Sequence, residues 1–204
     1  TMAAKGFQLA SIARELNRQH RIYSPPDRFV AAMMAVYSPR ESTLEVWNGG
    51  LPEALLMAGD SRLLRSFRSL NLPLGILPDG QWDCETETVR VSGPCHLLLY
   101  SDGLIEAENP AGEPFGTQRL LHTLAAGTPQ ACLERVQRAV QEHLAAGVAH
   151  DDLSCLLLDC RAPLPVSLLA NAQVPAVIAE GWQFNLTLGA AQLRRLDVEP
   201  LLSD

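Results

Sequence analysis

The pattern of apolar positions is clearest in two short runs, at residues 97–100 and 153–158. Each run is almost continuously apolar and too short for an amphipathic helix. Runs of this kind, bounded by turn-forming residues, are typical of strands buried on both faces of a sheet. The sequence therefore predicts two buried strands, one near the middle of the chain and one about fifty residues later.

The remaining periodicity predicts a mixed α and β chain in which sheet predominates. Apolar residues at helical spacing predict helices over residues 2–19, 118–125 and 128–147. Apolar or alternating segments between turn clusters predict strands over residues 29–37, 43–47, 54–57 and 85–91. The first three of these strands are joined by short turns, which predicts an antiparallel meander. The first helical pattern begins almost at residue 1, which predicts that the numbering opens inside a larger domain.

Acidic residues stand at one end of each buried run. Asp102-Gly103 follows the first run, and His150-Asp151-Asp152 precedes the second. If the two strands are antiparallel neighbours, these acids meet at one edge of the sheet. Two adjacent carboxylates repel, whereas a divalent cation between them keeps both ionised at neutral pH. The pattern predicts either a metal site or ordinary strand-end turns, in which Asp and Gly are common.

Composition narrows the classes of partner. The 204 residues are 47% hydrophobic, with a mean hydropathy of +0.04, which suits one soluble domain with a sizeable core. The net charge of −7 comes without clusters of basic residues, so nucleic acids and anionic membrane surfaces are not expected partners. A metal-dependent enzyme and a protein-binding domain both remain open.

The cysteines favour a reducing compartment. Their number is odd, and they lack the paired Cys-x-x-Cys spacing of structural zinc sites: Cys84, Cys95, Cys132, Cys155 and Cys160. Reduced thiols in the core are therefore expected rather than disulfides. The sequence also contains neither a signal peptide nor an apolar run long enough to cross a membrane. These features predict a cytoplasmic protein.

The character of the chain changes after Cys160. A proline-containing break at residues 161–165 leads into a stretch without charge that ends at Glu180. We therefore predict a main domain over residues 1–160 and a C-terminal extension over residues 161–204. Within the extension, alternation predicts a strand at residues 181–188, and residues 190–196 fit a short helix.

Five short motifs follow one another along the chain: Phe29-Val30-Ala31-Ala32, Asn48-Gly49-Gly50-Leu51-Pro52, Leu72-Pro73-Leu74-Gly75-Ile76, Asp102-Gly103-Leu104-Ile105-Glu106-Ala107 and Asp151-Asp152-Leu153-Ser154. In this order they resemble the SpoIIE-like branch of the metal-dependent (PPM) serine/threonine protein phosphatases. The resemblance covers residues 2–159 and extends, within the branch, to the output domains of bacterial response regulators such as RssB.

The resemblance implies an α+β fold, an α-β-β-α sandwich of two antiparallel sheets flanked by helix pairs. It also implies a two-metal Mn²⁺ or Mg²⁺ centre at the sheet edge, where metal-bound water would attack the phosphoryl group. Carried onto this sequence, Asp102 and Asp151 are the catalytic metal ligands. Gly103 is the turn that allows close backbone approach, and Asp152 is a further neighbour of the metal.

Two departures from the family pattern bear on this site. The family's Gly-Asp and Gly-His-Gly elements, which supply the bridging aspartate, are absent from this sequence, so its N-terminal part is expected to be missing. In addition, Leu51 stands where many members of the branch have histidine. The chain is therefore expected to hold only part of a metal centre.

Two functions follow from the resemblance. The first is dephosphorylation of a Ser/Thr-phosphorylated partner, such as an anti-sigma-factor antagonist, by the output domain of a response regulator with an upstream receiver domain. The alternative is a catalytically inactive adaptor that binds a sigma factor or an anti-sigma antagonist when the receiver is phosphorylated. A truncated structural fragment, with its function elsewhere in the parent chain, is a third interpretation.

Overall fold

The computed structural model describes residues 2, 5–25, 27–82, 84–125, 131–145, 147, 151–160 and 184–186. The helices are α1 (Leu9–Tyr23), α2 (Asp102–Glu106), α3 (Gly116–Ala125) and α4 (Cys132–Leu144). The strands are β1 (Ala32–Ser38), β2 (Thr43–Gly49), β3 (Ala54–Ala58), β4 (Leu63–Phe67), β5 (Glu87–Arg90), β6 (Cys95–Tyr100), β7 (Cys155–Asp159) and β8 (Phe184–Leu186).

The strands form two antiparallel sheets. The first has the order β1-β2-β5, and the second has the order β4-β3-β6-β7-β8. Between the sheets lies an apolar layer that includes Leu44 and Val46 of β2 and Leu97 of β6. The opposite face of the second sheet packs against α3 and α4, and α1 packs against the outer face of the first. The α+β class and the α-β-β-α layering are confirmed.

Strand β6 is buried on both faces, as its continuous apolar pattern predicts. Leu97 points into the layer between the sheets, whereas Leu98 points toward α3 and α4. Both side chains are fully buried. Successive residues of a strand face opposite sides of the sheet. When both sides are packed against apolar layers, all of these residues are apolar and the sequence does not alternate.

The predicted meander of three strands is wrong. Strands β1 and β2 pair as expected, but β3 belongs to the second sheet, where it lies between β4 and β6. The turn at residues 48–52 therefore carries the chain from one sheet to the other. Gly50 has a φ of +92° in this turn, a conformation that L-residues with a side chain rarely adopt.

The first helix begins later than predicted, and its buried stripe contains Leu9 and Ala13 as expected but Asn17 in place of Leu16. The structure starts α1 at Leu9 instead of residue 2, and Leu16, which the helical spacing of Leu9 and Ile12 assigns to the apolar face, is 43% exposed. Asn17 is fully buried instead. Its amide donates to the carbonyl of Leu77 at 3.2 Å and its Oδ1 accepts from the N–H of Gly75 at 2.8 Å. Because both ends of the amide are paired, burial of this polar side chain is tolerated.

Asn48 holds the crossing turn in place. It is buried, and its Nδ2 donates to the carbonyls of Leu51 and Pro52 at 3.2 and 2.9 Å. Its Oδ1 accepts from the N–H of Leu51 at 3.2 Å. The backbone carbonyl of Asn48 accepts from the side chain of Asn71 at 3.1 Å. One buried amide therefore pairs several backbone groups of a loop that cannot pair within a sheet.

Asn48→Ala is expected to lower the free energy of unfolding by about 2–4 kcal/mol, because it leaves buried loop carbonyls unpaired. Urea denaturation monitored by tryptophan fluorescence measures the change. The matched control is Asn109→Ala, which removes a side chain that organises another loop through Ala111 and Glu113 in a more exposed setting. Water replaces those contacts, so a smaller loss is expected. Equal losses in the two variants would contradict this account.

The C-terminal extension is described only at β8, which pairs with β7 and lies within the predicted strand at residues 181–188. The predicted helix at residues 190–196 and the start of the predicted helix at residue 128 lie outside the described residues, as does His150. Among the described residues, no helix combines the length and apolar character needed to cross a membrane.

Candidate functional site

The two strands that end in acids are direct neighbours. Strands β6 and β7 pair antiparallel, with Leu98 opposite Leu157 and Tyr100 opposite Cys155. The chain leaves β6 at the edge of the sheet where it enters β7. The predicted juxtaposition of the residues after Tyr100 with those before Cys155 is therefore confirmed.

Ser101 fixes these two segments to each other. Its N–H donates to the carbonyl of Ser154 at 3.0 Å, and its Oγ donates to the carbonyl of Asp152 at 2.9 Å. The same Oγ accepts from the N–H of Ser154 at 2.9 Å. One hydroxyl thus extends the pairing of β6 and β7 past the last strand residues. The sequence carries no sign of this role, because a serine between Tyr100 and Asp102 resembles an ordinary N-cap residue.

Gly103 allows the closest approach at this edge. A Cβ at this position would lie 2.7 Å from the backbone oxygen of Asp152 and 3.3 Å from the Cβ of Asp151. The predicted close backbone approach is present, but the predicted turn is not, because Gly103 lies within the short helix α2. Gly103 is therefore required for space instead of backbone conformation.

The predicted acidic residues occupy the rim of this contact. Asp102 begins α2, and its Oδ1 accepts from the N–H of Gly103 at 3.0 Å. Asp151 precedes β7, and its Oδ1 accepts from the N–H of Asp152 at 2.7 Å. All three carboxylate side chains are exposed to solvent. The geometry brings Asp151 against Gly103 and leaves Asp152 as a neighbour whose carbonyl is engaged by Ser101.

A cavity of about 360 Å³ opens beside this contact. It is lined by Gly103, Glu106, Ala107, Glu108, Pro114 and Asp151. Three of its six lining residues are acidic, so its electrostatic character favours a cation. Glu106 belongs to the motif that begins at Asp102, and Glu108 lies two residues after Glu106. Their spacing from Asp102 places them on or just after α2. This proximity in sequence is the feature that marks them as further acidic residues of the site.

One wall of the cavity is held by the last long helix. Pro114 lies in the loop between α2 and α3, and the ring of His143 in α4 contacts the carbonyl of Glu113 through Nε2 at 2.9 Å. The guanidinium of Arg119 donates to Nδ1 of the same ring at 2.8 Å. Because a carbonyl only accepts, the imidazole donates from Nε2 and accepts at Nδ1. The loop is therefore anchored to α4.

The crossing turn approaches the same edge of the sheet. Strand β3 pairs antiparallel with β6, with Leu55 opposite Leu98, so the residues before β3 lie beside the end of β6. Burial raises the pKa of Tyr100, the last residue of β6, to about 12, and the nearby Glu53 carboxylate adds to the effect. The turn that contains Leu51 is thus a neighbour of the acidic edge.

The described residues supply an incomplete set of metal ligands. No group of three or more His, Cys, Asp or Glu side chains within them is arranged to hold a metal ion. The available donors are carboxylate oxygens, which suit Mg²⁺ and Mn²⁺ and which these ions supplement with bound water. The donor chemistry therefore fits a hydrated divalent cation, held by fewer protein ligands than a closed site has.

Comparison with known proteins identifies the family. The family model described as Stage II sporulation protein E (SpoIIE) matches residues 1–161. No curated protein matches the chain.

Solved structures share the fold at low sequence identity. The RsbU and RsbW domains of a Mycobacterium tuberculosis protein align with 20% identity and a TM-score of 0.65, over 80% of this chain and 46% of that one. The SiaA-PP2C domain of Pseudomonas aeruginosa aligns with 18% identity and a TM-score of 0.61, over 72% of this chain and 59% of that one.

A third structure, the phosphatase domain of SpoIIE from Bacillus subtilis presoaked with Mn, aligns with 16% identity and a TM-score of 0.55. The alignment covers 84% of this chain and 73% of that one. At these identities the likeness establishes the fold. The chain spans only about half the length of the first two structures, at 46% and 59%.

Proposed function

The chain belongs to the SpoIIE family of PPM-type phosphatase domains, and we propose that it is the phosphatase-type output domain of a bacterial response regulator. In this proposal it removes phosphate from a serine or threonine of a regulatory partner protein, such as an anti-sigma-factor antagonist, under the control of an upstream receiver domain. The observation that supports it most is the meeting of the Asp102 and Asp151 segments at one sheet edge, beside an acidic cavity.

The proposed mechanism assigns Asp102 and Asp151 as ligands of Mn²⁺ or Mg²⁺, with Asp152 beside them. When bound, such an ion supplies Lewis acidity and a nucleophilic water at neutral pH. Other residues of the chain position these ligands. Ser101 fixes the spacing of the two acidic segments, and Gly103 lets them approach. Each carboxylate is also oriented by a hydrogen bond from the following backbone N–H.

Metal-dependent phosphate release tests this function. The protein, incubated with a phosphoserine peptide, is expected to release inorganic phosphate at least about tenfold faster with Mn²⁺ than with EDTA, because the ion supplies the nucleophile. A malachite green assay measures the release. Hydrolysis that is equally fast in EDTA would contradict the assignment.

The incomplete ligand set favours a second candidate function. The proposed ligands are Asp102 and Asp151, and the described residues contain no cluster of three potential metal ligands. Such a domain suits an adaptor that binds a sigma factor or an anti-sigma antagonist without dephosphorylating it. Pull-down of such a partner in EDTA, together with no phosphate release in Mn²⁺, would support the adaptor. The first function instead requires phosphate release that depends on the metal.

A further inference from the structure

Cys95 and Cys160 lie opposite each other at the other end of the same pair of strands. The register of β6 and β7 places His96 opposite Asp159, so the next residues outward are Cys95 and Cys160. The N–H of Cys160 donates to the carbonyl of Cys95 at 2.8 Å. Hydrogen-bonded antiparallel pairs hold their Cα atoms about 5.5 Å apart. Disulfides span Cα separations of about 4.4–6.8 Å, so the Cα separation of this pair lies within the range that a disulfide joins.

The two side chains point into the same space. Both are buried in the layer between the sheets, and the Cys95 Sγ lies 3.8 Å from the carbonyl oxygen of Cys160. The Cys160 Sγ lies 3.9 Å from the carbonyl oxygen of Leu158. The neighbouring Cys160 thiol lowers the pKa of Cys95 against the opposing effect of burial, whereas Cys95 and burial together raise the pKa of Cys160. Cys95 is thus the better nucleophile of the two.

The pair also sits at an end of the sheet that can open. Cys95 is the first residue of β6, and it directly follows the exposed residues Gly93 and Pro94. Cys160 is the first residue beyond β7. Strand ends open locally at a lower free energy than strand centres. Both side chains are buried, so we expect a small reagent to reach them by local opening at this end instead of global unfolding.

The other cysteines lack this arrangement. Cys155 pairs across the sheet with Tyr100, Cys132 begins α4, and the Cys84 thiol lies 3.5 Å from the carbonyl of Ala10. All five thiols are free in the structure. Of the described residues, Cys95 and Cys160 are the cysteines that a strand register places directly opposite each other.

We propose that Cys95 and Cys160 form a redox modification site, a cross-strand dithiol that a low-molecular-weight disulfide such as glutathione disulfide oxidises to an intramolecular disulfide. Cys95 loses its proton to solvent, and its thiolate attacks one sulfur of the small disulfide, forms a mixed disulfide and releases one thiolate. The released thiolate takes the proton of Cys160, whose sulfur then attacks the Cys95 sulfur and expels the second thiolate, which takes a proton from solvent. The protein gives up two electrons and two protons, and the small disulfide becomes two thiols.

The cross-link joins residues 65 positions apart in the chain. It closes the end of β6 and β7 that lies away from the acidic edge, at the point where the extension begins. The unfolded chain loses the freedom of a long loop, so the oxidised protein is stabilised. This site is independent of the phosphatase proposal, since it uses none of the acidic residues.

Peptide mapping tests the site on the whole chain. The protein is equilibrated in glutathione buffers of increasing oxidised fraction, blocked with N-ethylmaleimide, and digested with trypsin and Asp-N. These proteases place Cys95 on residues 91–101 and Cys160 on residues 159–161, away from Cys84 and Cys155. The expected result is a linked pair of these peptides that dithiothreitol separates. The melting temperature is expected to rise by roughly 5–10 °C on oxidation.

Three serine variants complete the test. Cys95→Ser and Cys160→Ser are expected to abolish the linked peptides and the rise in melting temperature, whereas Cys84→Ser keeps both. If a buried serine prevents folding, the map of the unsubstituted chain decides alone. Alkylation of both thiols in the most oxidising buffer would overturn the proposal, as would a linkage of Cys95 to any other cysteine.

Discussion

The Asp102→Asn protein is expected to bind Mn²⁺ about 100-fold more weakly than the unsubstituted chain. Removing one carboxylate charge within a few ångströms of the ion costs about 3 kcal/mol at the effective dielectric of a protein surface, and about 1.4 kcal/mol corresponds to tenfold in affinity. Asparagine keeps the side-chain oxygen that accepts from the N–H of Gly103, so α2 is expected to form as before. Isothermal titration calorimetry at neutral pH measures the affinity.

Asp60→Asn is the matched control for this measurement. Asp60 is also an exposed acid in a turn, and its Oδ1 accepts from the N–H of Arg62 at 3.1 Å. It follows β3 near the end of the sheet that holds Cys95, because Ala58 pairs with Cys95. Asp60→Asn is expected to leave Mn²⁺ binding unchanged. Equal weakening in both variants would place the ion elsewhere, and a lack of binding by the unsubstituted chain would favour the adaptor.

The acidic edge could be predicted from the sequence because both of its parts are local. Continuous apolar runs identify β6 and β7, and the acids are adjacent to those runs in the chain. Only one further step, antiparallel pairing, is needed to bring Asp102 and Asp151 to the same edge. That step is confirmed by the pairing of Tyr100 with Cys155. Whether the two carboxylates hold a metal stays a prediction.

The division of strands between the sheets could not be predicted in the same way. Alternation of apolar and polar residues identifies a strand without identifying its neighbours. The chain changes sheets after β2 because Asn48 and Asn71 pair the backbone of loops that are distant in sequence. Asn71 accepts from the N–H of Glu85 at 2.8 Å, for example. Polar residues in a turn cluster carry no local sign of such partners.

Asn17 shows the same limit within a helix. Polarity assigns it to the exposed face of α1 and assigns Leu16 to the buried one, yet the structure has the reverse. The partners of Asn17 are backbone groups of Gly75 and Leu77, nearly sixty residues away. Helical periodicity predicts a buried stripe from hydrophobicity alone, so it misses an amide whose hydrogen bonds are supplied by another segment.

Gly103→Ala is expected to separate the two acidic segments, destabilise the protein by about 1–3 kcal/mol and weaken Mn²⁺ binding with it. In an ordinary helix, replacing glycine by alanine stabilises by up to about 1 kcal/mol. Here the added Cβ would lie 2.7 Å from the backbone oxygen of Asp152, so the segment that precedes β7 must move away from α2. The sign of the change in unfolding free energy therefore distinguishes steric contact from helix propensity.

Gly80→Ala provides the reference for that sign. A Cβ at Gly80 meets no atom within 4 Å, and its φ is not positive. This substitution is expected to leave both the unfolding free energy, within about 0.5 kcal/mol, and Mn²⁺ binding unchanged. Urea denaturation and calorimetry on the two variants give the comparison. Stabilisation by Gly103→Ala would contradict the contact with Asp152. Destabilisation with unchanged Mn²⁺ affinity would show that the metal site does not depend on the contact between Gly103 and Asp152. A site built from both acidic segments would lose affinity when the segments are moved apart.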